Sequence, residues 1–106
     1  MVYPKLVRDK IPELIKNEGK TLVMRHADDD EYWDCLQEKL VEGVDEFLQK
    51  SSIEEIADIL EVIDAIKEYK NFNEQEVQRV KEEKAQHKGR FTQRIVIDDV
   101  AEVASH

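Results

Sequence analysis

The stretch IEEIADILEVIDAI, residues 53–66, decides the fold. Ile53, Ile56, Ile59, Leu60, Val62, Ile63 and Ile66 follow helical spacing, yet they cover most of the helix circumference. A helix apolar on nearly every side has to be covered on several sides. The remaining chain offers few elements to do that, so the pattern predicts a helical bundle completed by a second subunit. The same stretch carries Glu54, Glu55, Asp58 and Glu61. A carboxylate on a covered helix needs a cation, a basic partner or a proton.

The neighbouring elements follow from caps and periodicity. Ser51 with Glu54, or Ser52 with Glu55, makes a capping box that opens this helix, which is expected to reach about Tyr69. A helix from about Asp30 to Gln49 precedes it, with Asp28, Asp29 and Asp30 supplying cap oxygens and favourable charge. Its apolar stripe is Trp33, Leu36, Leu40, Val44 and Phe47. A short turn makes the two helices antiparallel neighbours. Asn73 with Glu76 opens a third long helix, mostly polar, that ends near Lys88 and is stopped by Gly89. At the start, Pro12 suits the first turn of a short helix through Glu18, stopped by Gly19. TLVMRH, residues 21–26, reads as extended, with RIVI, residues 94–97, as partner in a minor β ribbon. The tail from about residue 98 is open between helical and frayed. The expected fold is all-α, a single domain over residues 1–106.

Composition agrees. Hydrophobic residues make up 41% and charged residues 39%, with three glycines and two prolines, as in long-helix proteins. Sixteen basic against 25 acidic side chains give a net charge of −9, which argues against nucleic-acid binding through phosphate neutralisation. The single Cys35 excludes an internal disulfide and reads as a small packing residue in a reducing, cytoplasmic setting. No apolar run approaches the roughly 20 residues of a membrane span, and the N-terminus lacks the apolar run of a signal peptide. His26, His87 and His106 are isolated surface residues.

The acids form two clusters. Glu42, Asp45 and Glu46 lie on the first long helix, and Glu54, Glu55, Asp58 and Glu61 on the next. Glu55 and Asp58 are three apart and share a face; Glu42 and Glu46 are four apart. Converging carboxylates repel and raise one another's pKa. A hard divalent cation such as Mg²⁺ removes that repulsion. The competing reading is a set of ordinary solvated acids. Two basic islands, Lys5, Arg8 and Lys10, then Lys81, Lys84 and Lys88 with Arg90 and Arg94, suit a polyphosphate; the plainer reading is surface charge paired with Glu82 and Glu83.

KLVRDKIPELI at 5–15 resembles the opening of small MazG-like nucleotide pyrophosphohydrolases, relatives of phosphoribosyl-ATP pyrophosphohydrolases. Glu31-Tyr32, KLVEGVDEF at 39–47, EEIADILEVIDAI at 54–66 and KAQHKGRF at 84–91 follow in the same order. The resemblance implies an all-α fold assembled as a homodimer or homotetramer. It implies Mg²⁺-dependent hydrolysis of a nucleoside triphosphate between the α and β phosphates, with Mn²⁺ as a substitute ion. Its metal motif is Glu-x-x-Glu on one helix and Glu-x-x-Asp on the next. Glu55 and Asp58 match the second half, and Glu46 the second acid of the first. Gly43 stands where the remaining acid belongs, with Glu42 beside it, about 100° away around the helix.

The expected metal ligands are therefore Glu46, Glu55 and Asp58, with Glu42 and Glu61 as auxiliary ligands or a water-orienting base. Lys5, Arg8, Lys10, Lys81 and Lys84 are expected to clamp phosphates. Phe91 and Trp33 are candidates to stack on a base, although Trp33 also lies on the apolar stripe. Gly43 leaves a second expectation open: a non-catalytic acidic helical dimer that binds a nucleotide or a protein.

Overall fold

The computed structural model describes residues 4–102. They fall into two compact units, one up to Phe72 and one from Asn73 onward. The first unit holds α1 (Ile11–Asn17), α2 (Asp29–Lys50) and α3 (Ile53–Tyr69); the second holds α4 (Glu74–Lys88). The fold is all-α, with no strand among the described residues.

The capping chemistry places the helix starts. Asp28 accepts from the Glu31 amide at 2.9 Å and opens α2. Of the two serines, Ser52 caps α3, accepting from the Glu55 amide at 3.3 Å. Ser51 instead closes α2 in a left-handed conformation, φ 50°. Asn73 accepts from the Glu76 amide at 3.1 Å and opens α4. Each such cap satisfies an amide that the helix itself leaves unpaired, worth about 1 kcal/mol. Gly19 and Gly89 follow α1 and α4 at φ +81° and +83°, a region that favours glycine.

The two-residue connection makes α2 and α3 an antiparallel hairpin. Its far end is tied where the Tyr69 hydroxyl donates to the Asp29 carbonyl at 3.2 Å. There Tyr69 also stacks on Trp33, centroids 5.5 Å apart, and meets Tyr32 edge-on. Lys70 sits over the Trp33 ring at 4.0 Å, a cation–π contact. Trp33 is thus engaged by its own hairpin. Leu36 is the fully buried apolar side chain of the seam, and Leu40, Gly43 and Phe47 are partly covered. A Cβ on Gly43 would stand 3.1 Å from Ile59 Cγ1, so the absence of a side chain lets α2 approach α3 here.

Val44 departs from the expected stripe. With α2 rotated so that Gly43 meets Ile59, Val41, Val44 and Leu48 form an exposed row. Ile53, Ile56 and Leu60 repeat the i, i+3, i+7 pattern as an exposed row on α3, with Ile53 at 85% exposure.

The β ribbon is not formed. Neither 21–26 nor 94–97 is a strand, and Val23, Ile95, Val96 and Ile97 are exposed. An isolated two-stranded ribbon is marginal without a face to pack on, and these side chains have none. Residues 98–102 lie outside any helix; the rest of the tail, including His106, falls outside the described residues.

Candidate functional site

Asp58 and Glu55 lie one turn apart on α3 and meet different fates. Among the described residues Glu55 is the buried charged one, 9% exposed. Its amide is taken by the Ser52 cap, and its carboxylate has no ion-pair or hydrogen-bond partner among the described residues. Asp58 is exposed and accepts a 2.8 Å bond from Arg8 Nη2, a residue 50 positions away. The length is that of a charge-assisted bond. The segment before α1 therefore brings a guanidinium to Asp58.

The same segment forms a cleft with α2. A cavity of about 300 Å³ lies between residues 4–6 and Cys35, Glu38, Lys39 and Glu42. It brings together Lys5 and Glu42, two expected site residues. Lys39, one turn before Glu42, was not among them; a basic residue at that spacing from an expected acid was the available signal. Burial, then the negative charges of Glu31, Glu38 and Asp34, push the Cys35 thiol up. Cys35 is a half-buried packing residue.

Glu46, Glu61 and Lys10 are exposed, and Asp64 pairs with Lys67 at 3.1 Å. Among the described residues no three Asp, Glu, His or Cys side chains converge into a group able to hold a metal ion. A Mg²⁺ ion would need more ligands than the described residues assemble. This ion prefers carboxylate oxygen and commonly takes one or two carboxylates, the rest of its octahedron coming from water and substrate phosphate. Glu55 and Asp58, three apart on α3, are the two carboxylates the sequence pattern offers, and Asp58 is already held by Arg8.

In the second unit Lys81, Lys84 and Phe91 are exposed, Phe91 by 98%. Arg90 pairs with Glu82 at 3.0 Å, and Arg79 with Glu76 and Glu83. These pairings follow the surface-charge reading for Glu82 and Glu83, while Lys81 and Lys84 stay free of ion pairs among the described residues.

No described helix is long and apolar enough to cross a membrane. An uncharacterized protein of Mycolicibacterium smegmatis is similar to this chain, 58% identical over 41 residues. The match covers 39% of this chain and 42% of that protein, less than half of either. No family model matches the sequence, and no solved structure matches it.

Proposed function

We propose that the chain is a Mg²⁺-dependent nucleoside triphosphate pyrophosphohydrolase that acts as a helical dimer or dimer of dimers. The observation that carries this reading is Glu55, a residue 9% exposed with no cationic partner among the described residues, one turn before Asp58. Two carboxylates one turn apart repel, and a bound divalent cation removes the repulsion. The resemblance of 39–47 and 54–66 to the MazG-like metal motif supports the same residues.

In this reading Glu55 and Asp58 would hold the ion with Glu46, and Glu42 and Glu61 would serve as auxiliary ligands or a water-orienting base. A bound Mg²⁺ would neutralise phosphate charge and polarise the phosphoryl oxygen under attack. Lys5 and Arg8 bind phosphate oxygens as fixed positive charges, and Lys10 is a further contact. Mn²⁺ can substitute. The products are a nucleoside monophosphate and pyrophosphate. The exposed rows Val41, Val44, Leu48 and Ile53, Ile56, Leu60 are the faces on which a second hairpin completes the bundle.

The test is pyrophosphate release across a panel of triphosphates with Mg²⁺ or Mn²⁺, comparing the natural chain with Glu55→Gln and Asp58→Ala. Release abolished in both variants supports the reading. No release from the natural chain with any triphosphate and either ion overturns it. One observation favours a second reading, a non-catalytic acidic dimer that binds a nucleotide or a protein: no three ligands converge among the described residues. Nucleotide binding without turnover in the same assay would select it.

A further inference from the structure

Residues 94–98, RIVID, complement a second copy of themselves. Ile95, Val96 and Ile97 are exposed by 74%, 81% and 72%, a run of β-branched apolar side chains in open solvent. Such side chains suit a pleated, half-buried surface. The peptide groups of the run make no hydrogen bond among the described residues. Before it, the Arg94 amide donates to the Phe91 carbonyl at 3.1 Å; after it, the Val100 amide donates to the Asp99 carboxylate at 2.8 Å. Arg94 closes its turn at φ 59°, so a strand starts no earlier than Ile95. Free donors and acceptors beside exposed apolar side chains are what an unpaired strand edge presents. Arg94 and Asp98 flank the run, and neither has an ion pair among the described residues.

Charge selects the partner and the register. Two copies side by side in parallel would set Arg94 on Arg94 and Asp98 on Asp98, and like charges opposite one another are destabilising. An antiparallel pair with Val96 facing its counterpart sets Ile95 opposite Ile97 and Arg94 beside Asp98, each of them twice. A slip of one residue sets Ile95 against Asp98 or Arg94 against Ile97. The segment at 21–26 is a poorer complement: it has no acid for Arg94, and its Arg25 is already held by Glu31. We propose that residues 95–97 pair with the same residues of a second copy, as an antiparallel ribbon centred on Val96. A two-stranded ribbon is marginal alone. The pairing therefore draws its second copy from the helical assembly proposed above, and to that extent rests on it; copies already held together meet at raised effective concentration.

The experiment is disulfide cross-linking under mild oxidation at micromolar concentration, in chains that all carry Cys35→Ser. Opposed Cα atoms in an antiparallel pair lie about 4.5–5.5 Å apart, within the span of a disulfide. Val96→Cys is expected to form a covalent dimer faster than Ile95→Cys, whose counterpart lies two positions off. Adding Arg94→Asp should slow the Val96→Cys reaction about threefold or more, because both flanking charge pairs of the ribbon become repulsive. Adding Asp98→Arg as well should restore it, which general stickiness of an apolar tail would not do. Equal rates at 95 and 96, or a charge swap that restores nothing, overturns the pairing. In a mixture, Val96→Cys bonding to Val23→Cys ahead of its own copy overturns the choice of partner. A chain that sediments as dimer or larger while Val96→Cys stays uncross-linked removes the ribbon and leaves the helical assembly standing. Cross-linking at 96 in a chain that sediments as monomer supports the ribbon and removes the helical assembly; a monomer without cross-linking removes both.

Discussion

Gly43 of α2 faces Ile59 of α3 so closely that a Cβ on the glycine would stand 3.1 Å from Ile59 Cγ1. The glycine is a point of helix approach. In Gly43→Ala, the gain from helix propensity, about 1 kcal/mol, is opposed by crowding against Ile59. We expect a double-mutant cycle with Ile59→Ala to show coupling of about 0.5–1 kcal/mol, alanine at 43 being better tolerated once Cγ1 is gone. Urea unfolding of the four chains measures it; purely additive effects would contradict the close contact. Gly43→Glu starts from the same Cβ, so any carboxylate it adds comes with the same crowding.

Hydrogen bonding to Arg25 holds the Glu31 carboxyl below its ordinary range, and Arg79 does the same for Glu76. A carboxylate with a depressed folded pKa adds stability above its unfolded pKa, about 4.3, and loses it as pH falls through the folded value. The advantage of the natural chain over Arg79→Gln should therefore be fully present at neutral pH and fade in acid. Unfolding midpoints from pH 7 downward follow it. An advantage that grows in acid would reverse the sign.

Cys35 is half-buried, and its thiol is pushed up by burial and by nearby acids. The thiolate is the reactive form. Iodoacetamide should alkylate Cys35 severalfold more slowly than free cysteine at neutral pH, and the rate should keep rising beyond pH 8.5, about the pKa of a free thiol. Urea should abolish the difference. Rapid labelling of the folded protein would place Cys35 in a different environment.

In the proposed bundle, the exposed rows on α2 and α3 would make association sensitive to one charge. Ile56→Glu places it in both copies of a symmetric interface. Losing about 1.5 kcal/mol or more of burial per copy weakens assembly about a hundredfold. Sedimentation at micromolar concentration should find dimer or tetramer for the natural chain and monomer for the variant. A natural chain that is monomeric there removes the bundle.

The helices were legible because their signals are local. Asp28, Ser52 and Asn73 are caps recognisable from a few residues on either side, and the helices end within a residue or two of where the pattern stops. The choice between Ser51 and Ser52 was not local; it depends on which serine takes the left-handed turn. The ribbon failed for a related reason: β-prone composition at 21–26 and 94–97 supplies no surface to pack on. The candidate acids could be assigned to their helices from the sequence, but their surroundings could not. Whether Gly43 is a missing ligand or a contact point depends on how α2 is rotated against α3. Arg8 meets Asp58 across 50 residues, through a path that no sequence period encodes.

Leu36 is the single apolar side chain of the described residues closed off from solvent. Local opening is resisted by buried apolar contact, and one hairpin has little of it. Deuterium uptake by the amides of α2 and α3 should then track protein concentration: rapid when dilute, slow once the exposed rows are covered. Hydrogen exchange on this chain would measure the company it keeps as much as the sequence it carries.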